Sequence, residues 1–217
     1  MIKIENTEVF GIEHAIRGMR NPLNSWKNSD SYWTHIEDSE TLETANYQFH
    51  LGDKDLKLAK TLAESGNDHG KFLRFIICYC DITAPLYWWK EADTYRMGVE
   101  KNSCSTMHKI QAKKFEMDDF STEHLNDESK KVFGLVIYEL NKNRDLYNCG
   151  NEKEDWWQLI ELLPSSYNQK RTMMMSYAAL RNMYNARKNH KLDDWHKFCD
   201  WVETLPYSEL ITGGTDE

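Results

Sequence analysis

Two segments of this chain crowd together side chains that can bind or activate a small molecule. The first runs from Glu91 through Asp93, Thr94 and Tyr95 to Arg96, and resumes at Asn102-Ser103-Cys104-Ser105-Thr106-Met107-His108. Glu91 and Asp93 are carboxylates next to the Arg96 guanidinium. Ser103 to His108 then place hydroxyls, a thiol and an imidazole within one short stretch. Small hydroxyl side chains beside backbone N–H groups can cradle a phosphate. The same residues also suit a polar loop that caps a turn or helix. Cys104 and Ser105 lack the flanking glycines of a hydrolase nucleophile elbow.

The second segment is Arg181 to His190. On a helix, Arg181, Tyr184, Asn185 and Lys188 recur three or four residues apart, as do Asn182, Ala186 and His190. Arg187, Lys188 and His190 form a cationic cluster near the helix C-terminus. Such a cluster can complement the helix dipole, or clamp a phosphate with arginine as a planar fork. His69 stands in a turn, Gly66-Asn67-Asp68-His69-Gly70, where a lone histidine is usually structural. The five cysteines fit no zinc pattern and the histidines form no closely spaced pair, so no metal is expected.

These segments need elements to hold them. Alternating Ile2 and Ile4, followed by Val9, Phe10 and Ile12, predict a strand over 2–12. Residues 21–52, rich in Asn, Ser, Asp and Thr, read as a long loop with short pieces of structure. Leu56, Ala59, Leu62 and Ala63 give a helix over 53–64 that Gly66 closes. The apolar run 72–82 suits a buried strand or a buried helix; as a strand it puts Cys78 and Cys80 on one face. Pro85 opens an aromatic segment over 86–89, and a polar stretch continues through His108. A helix is expected over 129–147, with Val132, Phe133, Leu135, Val136, Ile137 and Leu140 inward. Another is expected over 154–163, stopped by Pro164. A strand over 171–177 leads to helices over 178–188 and 193–204, the second stopped by Pro206. No repeat or linker interrupts the chain, so one α/β domain is expected.

The net charge of −8 comes without a block of like charges, which argues against a grip on nucleic-acid polymers. No apolar run approaches the ~20 residues of a membrane span. The first residues do not read as a signal peptide, and a cytoplasmic protein with reduced thiols is expected. Eight Trp and eleven Tyr are many for 217 residues. They suit core and subunit interfaces, or stacking on flat ligands.

Taken in order, the segments resemble the flavin-dependent thymidylate synthases. The similarity is carried by residues 163–187, where a Leu-Pro precedes a strand and a helix. Counted from Pro164 without a gap, the family's helix Asn falls on Asn182 and its catalytic Arg on Arg187. The turn at 66–69 and the run after it resemble the family's Gly-His turn and apolar strand. The family signature RHRxxSxNxxSxR is departed from: Tyr95-Arg96-Met97 stands for Arg-His-Arg when Asn102 and Ser105 are matched, and Met107 takes the place of the last Arg. Ser176-Tyr177-Ala178 replaces the family's Asn-x-Arg.

The resemblance implies an α+β domain with a mixed, largely antiparallel sheet packed by helices. It implies that dUMP becomes dTMP with FAD, methylenetetrahydrofolate and NADPH, in a homotetramer whose sites are shared between subunits. Arg187 would then be catalytic and touch a pyrimidine nucleotide together with Glu91, Arg96, Ser103 and Ser105. Asn182, Asn102, His69 and His108 would hold the flavin, weakly because the Arg-His-Arg is missing. Alternatives are a protein of the same fold that sequesters or senses a nucleotide without flavin chemistry, and a structural oligomer without a ligand.

Overall fold

Residue Gly11 decides how the chain enters the fold. Its backbone is left-handed (φ 87°), and a Cβ there would lie 2.3 Å from the Phe75 carbonyl oxygen, so no other residue fits without displacing the backbone. Strand β1 (Lys3–Phe10) therefore ends before it, and α1 (Ile12–Met19) begins after it. Ile12 belongs to this helix rather than to the expected strand. The structure, a computed structural model, describes residues 2–36 and 46–213. Strands β2 (Tyr32–Ile36) and β3 (Asn46–His50) form an antiparallel pair. The expected long loop over 21–52 thus contains two strands, and its residues 37–45 lie outside the described residues.

Helix α2 (Asp53–Glu64) follows as expected. The apolar run then divides. Gly70–Arg74 is a short 3-10 turn, and strand β4 (Ile77–Pro85) starts only after it. Phe72, Leu73 and Ile76 are all buried, and a pleated strand would send the consecutive pair Phe72 and Leu73 to opposite faces. Beyond β4 come α3 (Leu86–Ala92), β5 (Val99–Ser103), α4 (Asp127–Gly150), α5 (Lys153–Leu162), β6 (Asn168–Ser176), α6 (Tyr177–Arg187), α7 (Asp193–Glu203) and α8 (Glu209–Thr212).

The main sheet has the order β1-β4-β6-β5, and each neighbouring pair is antiparallel. On β4, Cys78, Cys80, Ile82 and Ala84 are buried on one face, where the two thiols stand side by side. The hydrogen-bonding Cys78 thiol beside it, and then burial among apolar groups, raise the Cys80 pKa far above that of a free thiol. Trp88, Trp89, Tyr177, Leu180, Trp195 and Phe198 fill the core on this side. On the opposite face Asp81 accepts hydrogen bonds from Thr172 and Asn6 and pairs with Lys170. These partners hold its pKa at about 2.

A second, smaller core gathers Ile110, Phe115, Phe120, Leu140 and Leu159 beneath α4 and α5. Within α4 only Leu140 is fully enclosed. Val132 and Leu135, expected inward, are 64% and 68% exposed, because α4 packs on one side only.

One ionic cluster ties α1, the following loop and α2 together. Asp55 is 0% and Arg20 6% exposed, and the pair meets at 2.5 Å. Asp55 also accepts from the Ser29 and Ser31 hydroxyls at 2.5 and 2.6 Å. Burial opposes the Asp55 charge, but Ser29, Ser31 and Arg20 outweigh it, and its pKa lies below the ordinary aspartate value. Removing one partner leaves the other buried and unpaired. Asp55→Ala should therefore lower the unfolding free energy by about 3–5 kcal/mol in urea titrations. The depressed pKa fixes the sign of the pH dependence. The Asp55 contribution is complete above roughly pH 4, the unfolded value, and is lost as the pH falls through the lower folded value. Urea midpoints should show that acid loss in the wild type, and less of it in Asp55→Ala.

Candidate functional site

Strand β6 runs into helix α6 without an intervening loop, and a cleft opens at this junction. Ser176 caps the helix, its hydroxyl accepting from the Ala179 N–H at 3.2 Å. Its own N–H donates to the Gly98 carbonyl at 2.8 Å, and Tyr177 N–H donates to the Ile76 carbonyl at 2.9 Å. Gly98 has φ 70°, and a Cβ there would come within 2.5 Å of the Ser176 hydroxyl. The cleft has a volume of about 600 Å³, within the usual range of ligand sites. Gly66, Gly70, Gly98, Ala178 and Ala179 keep its walls low, and Asn182, Asn185 and Arg74 supply polar groups. Arg74 is exposed and, among the described residues, has no ion-pair or hydrogen-bond partner. Arg181 is anchored instead, donating to the Leu210 carbonyl at 3.0 Å.

Asn182 thus faces the cleft, and the turn carrying His69 borders it through Gly66, Asn67 and Gly70, with the His69 side chain exposed. Arg187 points elsewhere. Five residues along a helix turn the side chain by about 140°, and this carries Arg187 onto α3. Its Nη1 donates to Glu91 Oε2 at 2.6 Å and its Nε to the Tyr95 hydroxyl at 2.9 Å. The guanidinium lies 4.7 Å from the Trp195 ring centre. Trp195 Nε1 donates to the same Glu91 oxygen at 3.0 Å. His190 Nδ1 accepts from the Leu192 N–H, which leaves Nε2 as the nitrogen that faces Glu91, at 3.2 Å. One carboxylate oxygen therefore accepts two hydrogen bonds and has the His190 ring beside it. The sequence-predicted Glu91 and Arg187 are brought together, with Arg187 only 17% exposed.

The rest of the predicted constellation is spread out. Asp93 binds Lys101 and, at 2.8 Å, Arg171. Burial opposes its charge, but the two cations prevail and its pKa lies below the ordinary value. Arg171 in turn lies 4.1 Å over the Trp89 ring. Arg96 is exposed in the turn before β5. Asn102 and Ser103 are exposed on β5, paired in register with Thr172 and Arg171. Ser105 closes a turn, its hydroxyl accepting from the Met107 and His108 N–H groups at 3.2 and 3.0 Å. None of Asn102, Ser103, Ser105 or His108 lines the cleft within one chain. Trp195 and Arg74 were not singled out by sequence reasoning, and Asn185 was noted only in the helical spacing with Arg181, Tyr184 and Lys188. A signal existed only for Asn185, three residues from Asn182 on the same helix face.

No protein-family model matches the sequence, and no curated protein matches it. Among solved structures, a flavin-dependent thymidylate synthase ThyX from Helicobacter pylori, complexed with FAD and dUMP, aligns with a TM-score of 0.68. It covers 97% of this chain and 98% of its own, at 16% identity. The fold is similar to that of ThyX from end to end. A second structure of thymidylate synthase X from Helicobacter pylori, with FAD and dUMP, gives 0.66, covering 98% of both chains at 16% identity. At this identity the likeness to ThyX is one of fold. Among the described residues no group of three or more metal-ligating side chains converges, and no helix is long and apolar enough to cross a membrane.

The contacts of Arg187 give an expected outcome for its substitution. Arg187→Ala removes a charge-assisted hydrogen bond and leaves Glu91 with weaker partners, so unfolding free energy should fall by about 1.5–3 kcal/mol. Arg187→Lys should recover less than half of this, because an ammonium cannot both fork and stack. Thermal and urea melts of the three proteins measure the difference.

Proposed function

We propose that this chain is a divergent relative of the flavin-dependent thymidylate synthases that transfers a one-carbon unit to a pyrimidine deoxynucleotide, converting dUMP to dTMP. The observation that carries this reading is the end-to-end similarity to ThyX enzymes complexed with FAD and dUMP, joined to an open cleft at the start of α6. The residues present fit a flavin. The low glycine and alanine walls admit a flat ring close to the backbone, Asn182 and Asn185 offer amides to its polar edge, and Arg74, unpaired among the described residues, offers a cation for phosphate. A bound flavin would relay the one-carbon unit of methylenetetrahydrofolate and the reducing equivalents of NADPH.

In this reading Asn182, Asn102, His69 and His108 hold the flavin, while Arg187, Glu91, Arg96, Ser103 and Ser105 hold the nucleotide. The Asn102–His108 segment reaches the cleft across a subunit contact of a homotetramer, because one chain does not bring it there. Arg187 would have to leave Glu91 and Tyr95, on the side of α6 away from the cleft, to place its guanidinium against the pyrimidine carbonyls, where it would stabilise charge that develops as the ring is activated.

A second reading has its own support. The Arg187 guanidinium is already engaged by Glu91, Tyr95 and Trp195. This favours a protein that binds a nucleotide without carrying out the chemistry.

The two readings separate in one experiment. The purified chain is incubated with FAD, dUMP, methylenetetrahydrofolate and NADPH, and dTMP is measured by chromatography, with dUMP binding followed by calorimetry in parallel. Product formation is the expected result, and Asn182→Ala should weaken FAD binding roughly five- to tenfold, the loss of one hydrogen bond. Binding of dUMP without product selects the second reading, and absence of both removes the two together.

A further inference from the structure

We infer that the groove between α1 and the β2–β3 hairpin is a second ligand site, built for a nucleoside monophosphate. Ile77 is a wall of both this groove and the α6 cleft, but the groove shares no part of the argument for that cleft. Two adjoining cavities of about 630 and 290 Å³ have Glu13, His14, Trp33 and Phe49 as common walls.

The larger cavity is aromatic. Phe10, Trp33, Phe75 and Tyr79 stand 55, 53, 60 and 41% exposed around it. Phe10 meets Tyr79 edge to face at 6.2 Å, and Trp33 meets Phe49 the same way at 5.2 Å, so ring faces remain without a stacked partner. Large aromatic side chains left in water around a concavity mark a surface meant to be covered. A flat base can stack on such rings without base-specific hydrogen bonds.

The smaller cavity offers a guanidinium. Arg17 lines it, is exposed, and has no hydrogen-bond or ion-pair partner among the described residues. Arg20 beside it is committed to Asp55, so Arg17 is the cation left for a ligand. Its planar fork suits a phosphate. Between the two halves stands Glu13, paired with His14 at 3.2 Å. Its carboxylate can accept hydrogen bonds from sugar hydroxyls. Helix α1 carries these groups in sequence, with Arg17 about one turn, 5.4 Å, beyond Glu13. Aromatic wall, carboxylate and guanidinium thus follow the order of base, sugar and phosphate.

The test uses the full chain and AMP as probe, read by quenching of tryptophan fluorescence, since Trp26 and Trp33 both line the groove. Saturable quenching is expected, with adenosine binding about tenfold or more weakly than AMP, because it lacks the charged contact. Arg17→Ala should lose about tenfold in AMP affinity and leave adenosine binding unchanged, and its exposed position predicts an unaltered urea midpoint. Trp33→Ala should weaken both ligands, whereas Asn182→Ala should weaken neither, which separates this site from the α6 cleft. No saturable quenching by AMP, or equal AMP affinity in Arg17→Ala and wild type, overturns the inference. So does a Trp33→Ala variant that keeps its AMP affinity but shows a smaller particle in light scattering, since the groove would then be where a second copy of the chain sits.

Discussion

The candidate cleft exists because β6 becomes α6 with no loop between them. Two backbone hydrogen bonds, from Ser176 to Gly98 and from Tyr177 to Ile76, fix the helix start between its neighbours. A buried N–H or C=O must find a partner, and here the partners come from the two segments that wall the cleft. The Gly98 turn lies against the Ser176 hydroxyl so closely that any side chain would push it away. The first-turn residues Ala178 and Ala179 are small, so the space above the helix start stays open. Shifting the junction by one residue would rotate Asn182 away from the opening and close the walls.

Further along α6 the chain solves a different problem. The carboxylate of Glu91 and the guanidinium of Arg187 lie beside a layer of tryptophans, where an unpaired charge would be costly. Their pairing, reinforced by the Trp195 indole and the His190 ring, gives each group a partner next to the core. The Asp93–Arg171–Lys101 group repeats the device over Trp89. These aromatic and charged layers connect α3, β6, α6 and α7, so the elements around the cleft hold their spacing through side chains as well as through the sheet.

Much of this architecture could be read from the sequence. Helices α2, α5, α6 and α7 declared themselves by apolar spacing and by Gly66, Pro164 and Pro206, and the shared face of Cys78 and Cys80 followed from strand parity. Strand β5 did not, because it is an edge strand whose residues after Val99 are exposed and so carry no apolar alternation. The run 72–82 suits a buried strand or a buried helix, and the turn at 70–74 is not foreseen, because burial on every side looks the same in sequence whether the backbone coils or extends. Asn182 and Arg187 were placed in one site by the family resemblance counted from Pro164, but their divergence is a matter of helix geometry at five residues. The junction of Glu91 with Trp195, 104 positions apart in the chain, has no local signature at all.

The described residues form two cores of unequal size. The larger spans the sheet and the helices that pack on it, and the smaller holds α4 and α5 through a handful of side chains centred on Leu140 and Leu159. Opening free energies follow the number of buried contacts that must be broken. Backbone amides of α4 should therefore exchange with solvent through partial openings that leave β4 and β6 closed, while the amides of those strands wait for the whole chain to unfold. The long helix and the cleft then belong to separate cooperative units, and disturbance of one need not reach the other.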